Sequence, residues 1–365
     1  MKRLPSFKNV RVKWLCLFLI FTSLCICYYL GLQAYFLAKD YHTQFSYPYE
    51  GDIKLYVDQI RSGKQPRVKP INRYNYTFIL SNNTKCMDKS GKPDNIRLLL
   101  IIKSAMRNKE NRDAIRQSWG WETRFSDVKL RRIFLLGVSN DKHLQKIIQK
   151  ESKKHGDIVQ STFIDTYFNN TIKTMQGFKW AVEKCSSAEY FMFSDDDMYV
   201  STKNVLRFIR NPMNYPRYLT RAVLDTNQDF QIYSIDDTID VLFTGFVLFV
   251  PPLRITTSKW YVSLEEYPFS KYPPFVTAGA YLLSHEALLN LYYTSFYTKH
   301  FRFDDVYLGL VAKKAGIIPM HSENFHFWKQ IYNAYGYKFT IASHGYGDVK
   351  EMLDVWHEQR SLGNA

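Results

Sequence analysis

Cysteine is scarce in this chain: five in 365 residues, with no Cys-x-x-Cys pair. That excludes a small disulfide scaffold and argues against a thiolate zinc centre. Acids are also few, 34 against 49 lysines and arginines. The resulting charge of +15 points to anionic partners: nucleic acid, a membrane surface or phosphate-bearing small molecules. There is no internal repeat and no low-complexity run. With 46% hydrophobic and 16% aromatic residues the chain is neither disordered nor collagenous, and it is long enough for one large domain or two modest ones.

Two local absences predict topology. Residues 1–13 carry Lys2, Arg3, Lys8, Arg11 and Lys13 but no acid, and the 25 residues from Trp14 to Ala38 carry no formal charge. As a helix that stretch reaches roughly 37 Å, more than the ~30 Å hydrocarbon core of a bilayer. A cleaved signal peptide has a shorter apolar region, ~7–15 residues. The pattern predicts a cytoplasmic tail (1–13), a retained transmembrane signal-anchor (14–38) and a lumenal remainder, by the positive-inside rule. No second apolar stretch of that length occurs, so a single-pass protein is expected, and a lumenal body disfavours nucleic acid. Cys16, Cys25 and Cys27 fall in the apolar segment, leaving Cys86 and Cys185 for one disulfide in an oxidising lumen. Asn75, Asn82 and Asn169 head Asn-x-Thr sequons.

Residues 39–93, with Pro48, Pro66, Pro70 and Pro93 and no sustained periodicity, read as a lumenal stem. The catalytic body is then expected over 94–365. Leu98–Ile102, Arg132–Val138, Ile158–Ile164 and Tyr190–Ser194 read as buried strands. Between them lie helical patterns at 112–119, 142–154 and 171–185. Alternation of this kind predicts an α/β fold with a mostly parallel sheet and helices on both faces, binding ligands beyond the carboxyl ends of its strands. Farther on, Val241–Val250 reads as a strand, Leu282–Tyr293 as a helix capped by Ser284, and Asp304 or Asp305 to Ala315 as a helix closed by Gly316.

Three features carry chemistry. Asp195, Asp196 and Asp197 crowd the end of the fourth strand, where mutual repulsion calls for a counter-cation. A hard divalent ion answers this and can bridge a diphosphate. An EF-hand is excluded, since neither its Gly nor its closing Glu is in place. In Phe303-Asp304-Asp305-Val306, Asp304 reads as a helix cap, whereas Asp305 can accept a proton from a sugar hydroxyl, kept ionised by the helix dipole and a nearby metal. In the stretch 259–284, Ala278-Gly279-Ala280 lets a backbone approach a ligand closely. Trp260, Tyr261, Tyr267 and Tyr272 offer rings for sugar stacking, or for the core. His344 stands in a polar turn and can supply an imidazole to the metal, while His326, between two phenylalanines, reads as structural.

Together these segments resemble the inverting β1,3-glycosyltransferases of family 31, the β1,3-galactosyl- and β1,3-N-acetylglucosaminyltransferases. The matching segments are Arg112–Trp119, Phe134–Gly137, the aspartate trio, YPPFVTAGAYLLS and DDVYLG, in the family's order over roughly 95–358. KWYVSLEEYP with Thr277–Ala280 is most similar to the brainiac branch, although many galactosyltransferases of the family carry a second Gly where Ala280 stands. The resemblance implies a GT-A fold, a type II Golgi membrane protein, a UDP-sugar donor (UDP-GlcNAc or UDP-Gal) and Mn2+. It also implies a glycolipid or glycoprotein acceptor glycan, with N-acetylglucosamine onto a mannosyl-glucosylceramide-type glycolipid favoured over galactose transfer. By the same resemblance Asp197 and His344 hold the metal. Asp195, Asp196 and Gly279 face the nucleotide-sugar, with Arg112 and Arg116 near its pocket or serving as ion-pair partners. Asp305 is the base, and Trp260, Glu266 and Tyr272 are acceptor-side candidates. The competing expectations are a membrane-anchored sugar-binding pseudoenzyme, which would lack part of the acidic set, and a glycosidase, which would not need the metal.

Overall fold

The computed structural model describes residues 7–72, 74–219 and 240–365, so Lys2 and Arg3 of the expected tail lie outside the described residues. These residues form two compact units, Met1–Ser46 with Phe249–Pro273, and Tyr47–Leu248 with Pro274–Ala365.

In the first unit the uncharged segment is two helices, not one. Helix α1 (Phe7–Tyr29) contains an exposed apolar span, Val12–Tyr29, long enough to cross a membrane. Gly31 then takes a left-handed φ of +69° and breaks the helix before α2 (Leu32–Leu37) and α3 (Tyr41–Gln44). Arg254, buried in this unit, donates to the carbonyls of Val262, Ser263, Tyr267 and Phe269, which fixes the fold of the 249–273 segment.

The second unit is built on an eight-stranded mixed sheet. Its strands are β1 (Phe78–Leu80), β2 (Ile96–Lys103), β3 (Leu130–Val138), β4 (Ile158–Ile164), β5 (Ala188–Asp195), β7 (Phe243–Leu248), β8 (Phe275–Ser284) and β9 (Met320–His321), in the order β1-β4-β3-β2-β5-β8-β7-β9. The β4-β3-β2-β5 block is parallel, and β8 runs antiparallel to β5. Every residue of β2 from Leu98 to Ile102 is at most 1% exposed, so both faces are covered. One face carries Leu98, Leu100 and Ile102 against Ala114 and Ile115 of α5 (Lys109–Gln117), Ile148 of α6 (Lys142–His155) and Trp356 of α11 (Val349–Ser361). The other takes α7 (Asn170–Lys184), where Gly177 lies so close that a Cβ would meet Leu135 and Phe193 at 2.9 Å. A small second sheet joins β6 (Tyr199–Val200), β10 (Phe325–His326) and β11 (Ala342–Ser343). The remaining helices are α4 (Ile53–Arg61), α8 (Thr202–Phe208), α9 (His285–Ser295) and α10 (Asp304–Ala315).

Residues 47–93, expected in the stem, pack onto the rest of the second unit. Ile53 and Val57 of α4 bury against Tyr297, the Tyr74 and Tyr307 hydroxyls meet at 2.7 Å, and β1 pairs with β4. Cys86 and Cys185 form a disulfide across this junction. Leu282 and Leu283, expected in a helix, end β8, and Ser284 caps α9 by accepting from the Ala287 N–H. Of the sequon asparagines Asn75 is exposed, whereas the Asn82 and Asn169 amides donate to the Ile158 and Ile164 carbonyls.

Candidate active site

Strand β2 ends on Lys103 and β5 ends beside it on Asp195, in paired register. The Lys103 ammonium is buried and uses its three protons on Asp195 Oδ1 (3.0 Å), Asp304 Oδ2 (2.9 Å) and the Ala278 carbonyl (3.3 Å). One lysine therefore joins the aspartate trio, the first turn of α10 and the small-residue segment of β8. Burial by itself would lower the lysine's pKa, but Asp195 and Asp304 outweigh it and hold the ammonium well above its ordinary value. Lys103 was legible in the sequence only as the charged edge of an apolar run.

The trio divides its labour. Asp195 is held by Lys103; burial, with Asp197 and Asp304 adding repulsion, pushes its carboxyl up to about 6 against that pull. Asp196 accepts from Asn108 Nδ2 at 3.1 Å, its carbonyl accepts from Asn111 Nδ2, and burial raises its pKa. Two of the three carboxylates thus have protein partners, so the trio as a whole does not require a counter-cation. Asp197 is different: its Oδ1 is buried with no hydrogen-bond partner among the described residues, and its Oδ2 lies 3.5 Å from His344 Nε2. The imidazole is positioned by its backbone, since the His344 N–H donates to the His326 carbonyl and the Tyr346 N–H to that of Asp197. Gly279 completes the cradle, where a Cβ would stand 3.3 Å from Met198 Sδ and 3.5 Å from His344 Cδ2.

A carboxylate with one orphaned oxygen and the other near an imidazole nitrogen suits a divalent ion such as Mn2+. Among the described residues no group of three or more His, Cys, Asp or Glu converges, so Asp197 and His344 would be its only such ligands. So few ligands would leave positions on the ion for a diphosphate.

At the start of α10 the two acids part roles. Asp304 is buried and accepts from Lys103 and from Thr174 Oγ1 (2.7 Å); burial opposes its charge, yet these partners keep its pKa below the usual carboxylate value. It is a linchpin of the site and not merely a cap. Asp305 is half-buried, and its Oδ1 accepts from the Val306 N–H at 2.7 Å. Burial, and next the Asp304 charge, push its carboxyl up to about 7. A carboxyl poised there suits a general base.

Arg112 is turned away from any ligand. Its five donors are spent on Glu151, on Ser104 Oγ and on the Ala105 and Met106 carbonyls. Arg116 binds Asp157, Glu151 and Asp113. Both are structural ion-pair partners, and the same Ser104–Met106 turn that Arg112 clamps also meets Lys173, whose ammonium donates to the Ser104 carbonyl at 2.8 Å. Trp260, Glu266 and Tyr272 belong to the first unit. Tyr272 is buried with its ring 4.9 Å from that of Tyr267, so it is a packing residue; Trp260 is 47% exposed, and Glu266 is half-buried with its N–H on Ser263 Oγ. His326 is structural as expected, its Nε2 lying 3.1 Å from Thr340 Oγ1.

The family model described as Galactosyltransferase matches residues 110–323. The chain is 42% identical to beta-1,3-galactosyltransferase brn of Drosophila melanogaster over 92% of this chain and 93% of that protein. It is 32% identical to beta-1,3-galactosyltransferase 1 of Homo sapiens over 81% and 82%. Among solved structures, the galactosyltransferase LgtC in complex with donor and acceptor sugar analogs matches 73% of this chain and 100% of that chain, with a TM-score of 0.35 and 10% identity.

Proposed function

Because the chain belongs to the galactosyltransferase family and is a β1,3-glycosyltransferase, we propose that it transfers N-acetylglucosamine from UDP-GlcNAc to a glycolipid glycan, with inversion, in the Golgi lumen. The observation that carries the catalytic part is the Lys103 bridge, which joins the Asp195 end of the trio to the Asp304–Asp305 turn. The brainiac-like run KWYVSLEEYP favours N-acetylglucosamine. Galactose is the second reading, favoured by the names of the relatives above. The apolar helix α1, preceded by basic residues, fits a type II signal anchor.

In this reading Asp197 and His344 hold the divalent ion, with Gly279 leaving room beside them. When bound, the ion supplies the positive charge that a departing diphosphate needs. Asp305 takes the proton of the acceptor hydroxyl as its oxygen attacks the anomeric carbon, and a single displacement turns an α-linked donor into a β-linked product. Asp304 is the weaker base, because Lys103 and Thr174 both donate to its Oδ2 and hold its pKa down. No enzyme nucleophile is required.

The test is a panel of radiolabelled UDP-sugars against lipid-linked and free-sugar acceptors, using full-length protein in detergent. Transfer of N-acetylglucosamine that EDTA abolishes is expected; galactose transfer would select the second reading, and EDTA-resistant sugar release would indicate a glycosidase. Asp197→Ala is expected to abolish manganese-dependent UDP binding in a calorimetric titration. Undiminished affinity would remove Asp197 from the metal site.

A further inference from the structure

The second unit carries an exposed aromatic strip that the chemistry above does not use. In β7 and β8, Gly245 pairs with Tyr281 but Val247 pairs with Val276, so Phe246 alone stands opposite residues 277–280. This bulge leaves Phe246 outside the regular β7–β8 pairing. The Phe246 ring stacks on Phe327 (5.9 Å, 21°), and Phe327 meets Trp328 edge-on (4.4 Å, 61°). Phe327 follows His326, whose carbonyl fixes His344. The loop also lies against the His344 turn, since a Cβ on Gly345, the residue after His344, would meet the Lys329 Cβ at 2.9 Å. Trp328 is 66% exposed, and farther along the same loop Ile331 and Tyr335 are 93% and 92% exposed. Apolar side chains left in water this way, on a loop that touches the His344 turn, mark a binding surface.

We propose that the loop 327–335 is the acceptor-binding surface, taking an acceptor with an apolar aglycone: a sugar ring stacks its C–H face on Trp328, and the aglycone lies along Ile331 and Tyr335. The inference rests on the glycosyltransferase reading. Trp328 is braced edge-on by Phe327, which itself stacks on Phe246, and this lowers the ordering cost of stacking. A hydrocarbon chain gains by covering Ile331 and Tyr335, whereas a bare sugar gains nothing there.

The test compares octyl and methyl glycosides of the same acceptor sugar in steady-state kinetics of the full-length enzyme. Trp328→Ala is expected to raise KM about tenfold for both acceptors with the donor KM unchanged, and Trp328→Phe to recover most of the loss. Ile331→Ser with Tyr335→Ser is expected to raise KM for the octyl glycoside alone. All these side chains are exposed, so folding is retained, as a thermal melt will verify. Unchanged acceptor KM values in both variants, with transfer intact, would overturn the inference, as would an equal loss for both glycosides in the Ile331/Tyr335 variant. Wild-type protein that turns over no UDP-sugar would overturn the underlying reading instead.

Discussion

Asp305→Asn is expected to lower kcat by about 10²–10⁴, the share of a rate that a positioned base supplies, while UDP–manganese affinity stays unchanged. The base must be ionised to act, and burial pushes its carboxyl up to about 7. The wild-type kcat/KM, which reports the free enzyme, should therefore climb with rising pH through that region and flatten above it. The same shift carries a stability consequence of opposite sense. A carboxyl whose folded pKa lies above its unfolded value binds its proton more tightly when folded, so its contribution to stability is lost as pH rises toward about 7. Removing the charge is thus expected to stabilise the protein by about 1–3 kcal/mol at pH 8, read as a higher Tm. An inactive but more heat-resistant variant is what a functional, imperfectly solvated carboxylate produces. A variant with wild-type kcat would exclude Asp305 as the base, and a lowered Tm would show that its charge is structurally satisfied.

Lys103→Met is expected to have the largest effect on folding. It leaves the buried Asp304 beside the partly exposed Asp195 with no ammonium between them. Breaking a buried ion pair from one side costs about 3–5 kcal/mol, since the abandoned charge keeps its desolvation penalty. Wild-type Asp304 has a depressed pKa and stabilises the fold above its unfolded value; without Lys103 burial dominates and the sign reverses. The stability deficit of the variant should therefore shrink as pH falls from 8 to about 5, where the carboxylates take up protons. Adding Asp304→Asn removes one of the two stranded charges and should restore part of the loss. Thermal melts at the two pH values decide the matter, and a pH-independent deficit would mean that cavity formation, and not charge, is what Lys103 prevents.

The parallel half of the sheet was legible in the sequence because burial on both faces leaves an unbroken apolar run. Ile158–Ile164 was read at its observed bounds, and Gly156 and Gly316 end α6 and α10 as expected. Strand β8 was not legible: Thr277–Ala280 has small side chains and opposes a single residue of β7, so neither bulk nor alternation marks it. Residues 47–93 were read as a stem because their order comes from distant partners, the Tyr74–Tyr307 contact and the Cys86–Cys185 bridge among them, and not from local periodicity. The acids of the site could be named from their motifs, but their division of roles could not. Which of Asp195, Asp196 and Asp197 stays unpartnered depends on Lys103 and Asn108, brought from another strand and the turn after it. Arg112 and Arg116 were drawn toward the nucleotide by their motif; Glu151 and Asp157, on and just after α6, hold them in the fold.

The most direct measurement is a crystal structure of the Asp305→Asn protein with manganese, the UDP-sugar and an acceptor. The metal is expected on Asp197 and His344, and the acceptor's attacking hydroxyl within hydrogen-bond distance of the side chain at position 305. A metal bound elsewhere, or a hydroxyl directed at a different carboxylate, would contradict this expectation.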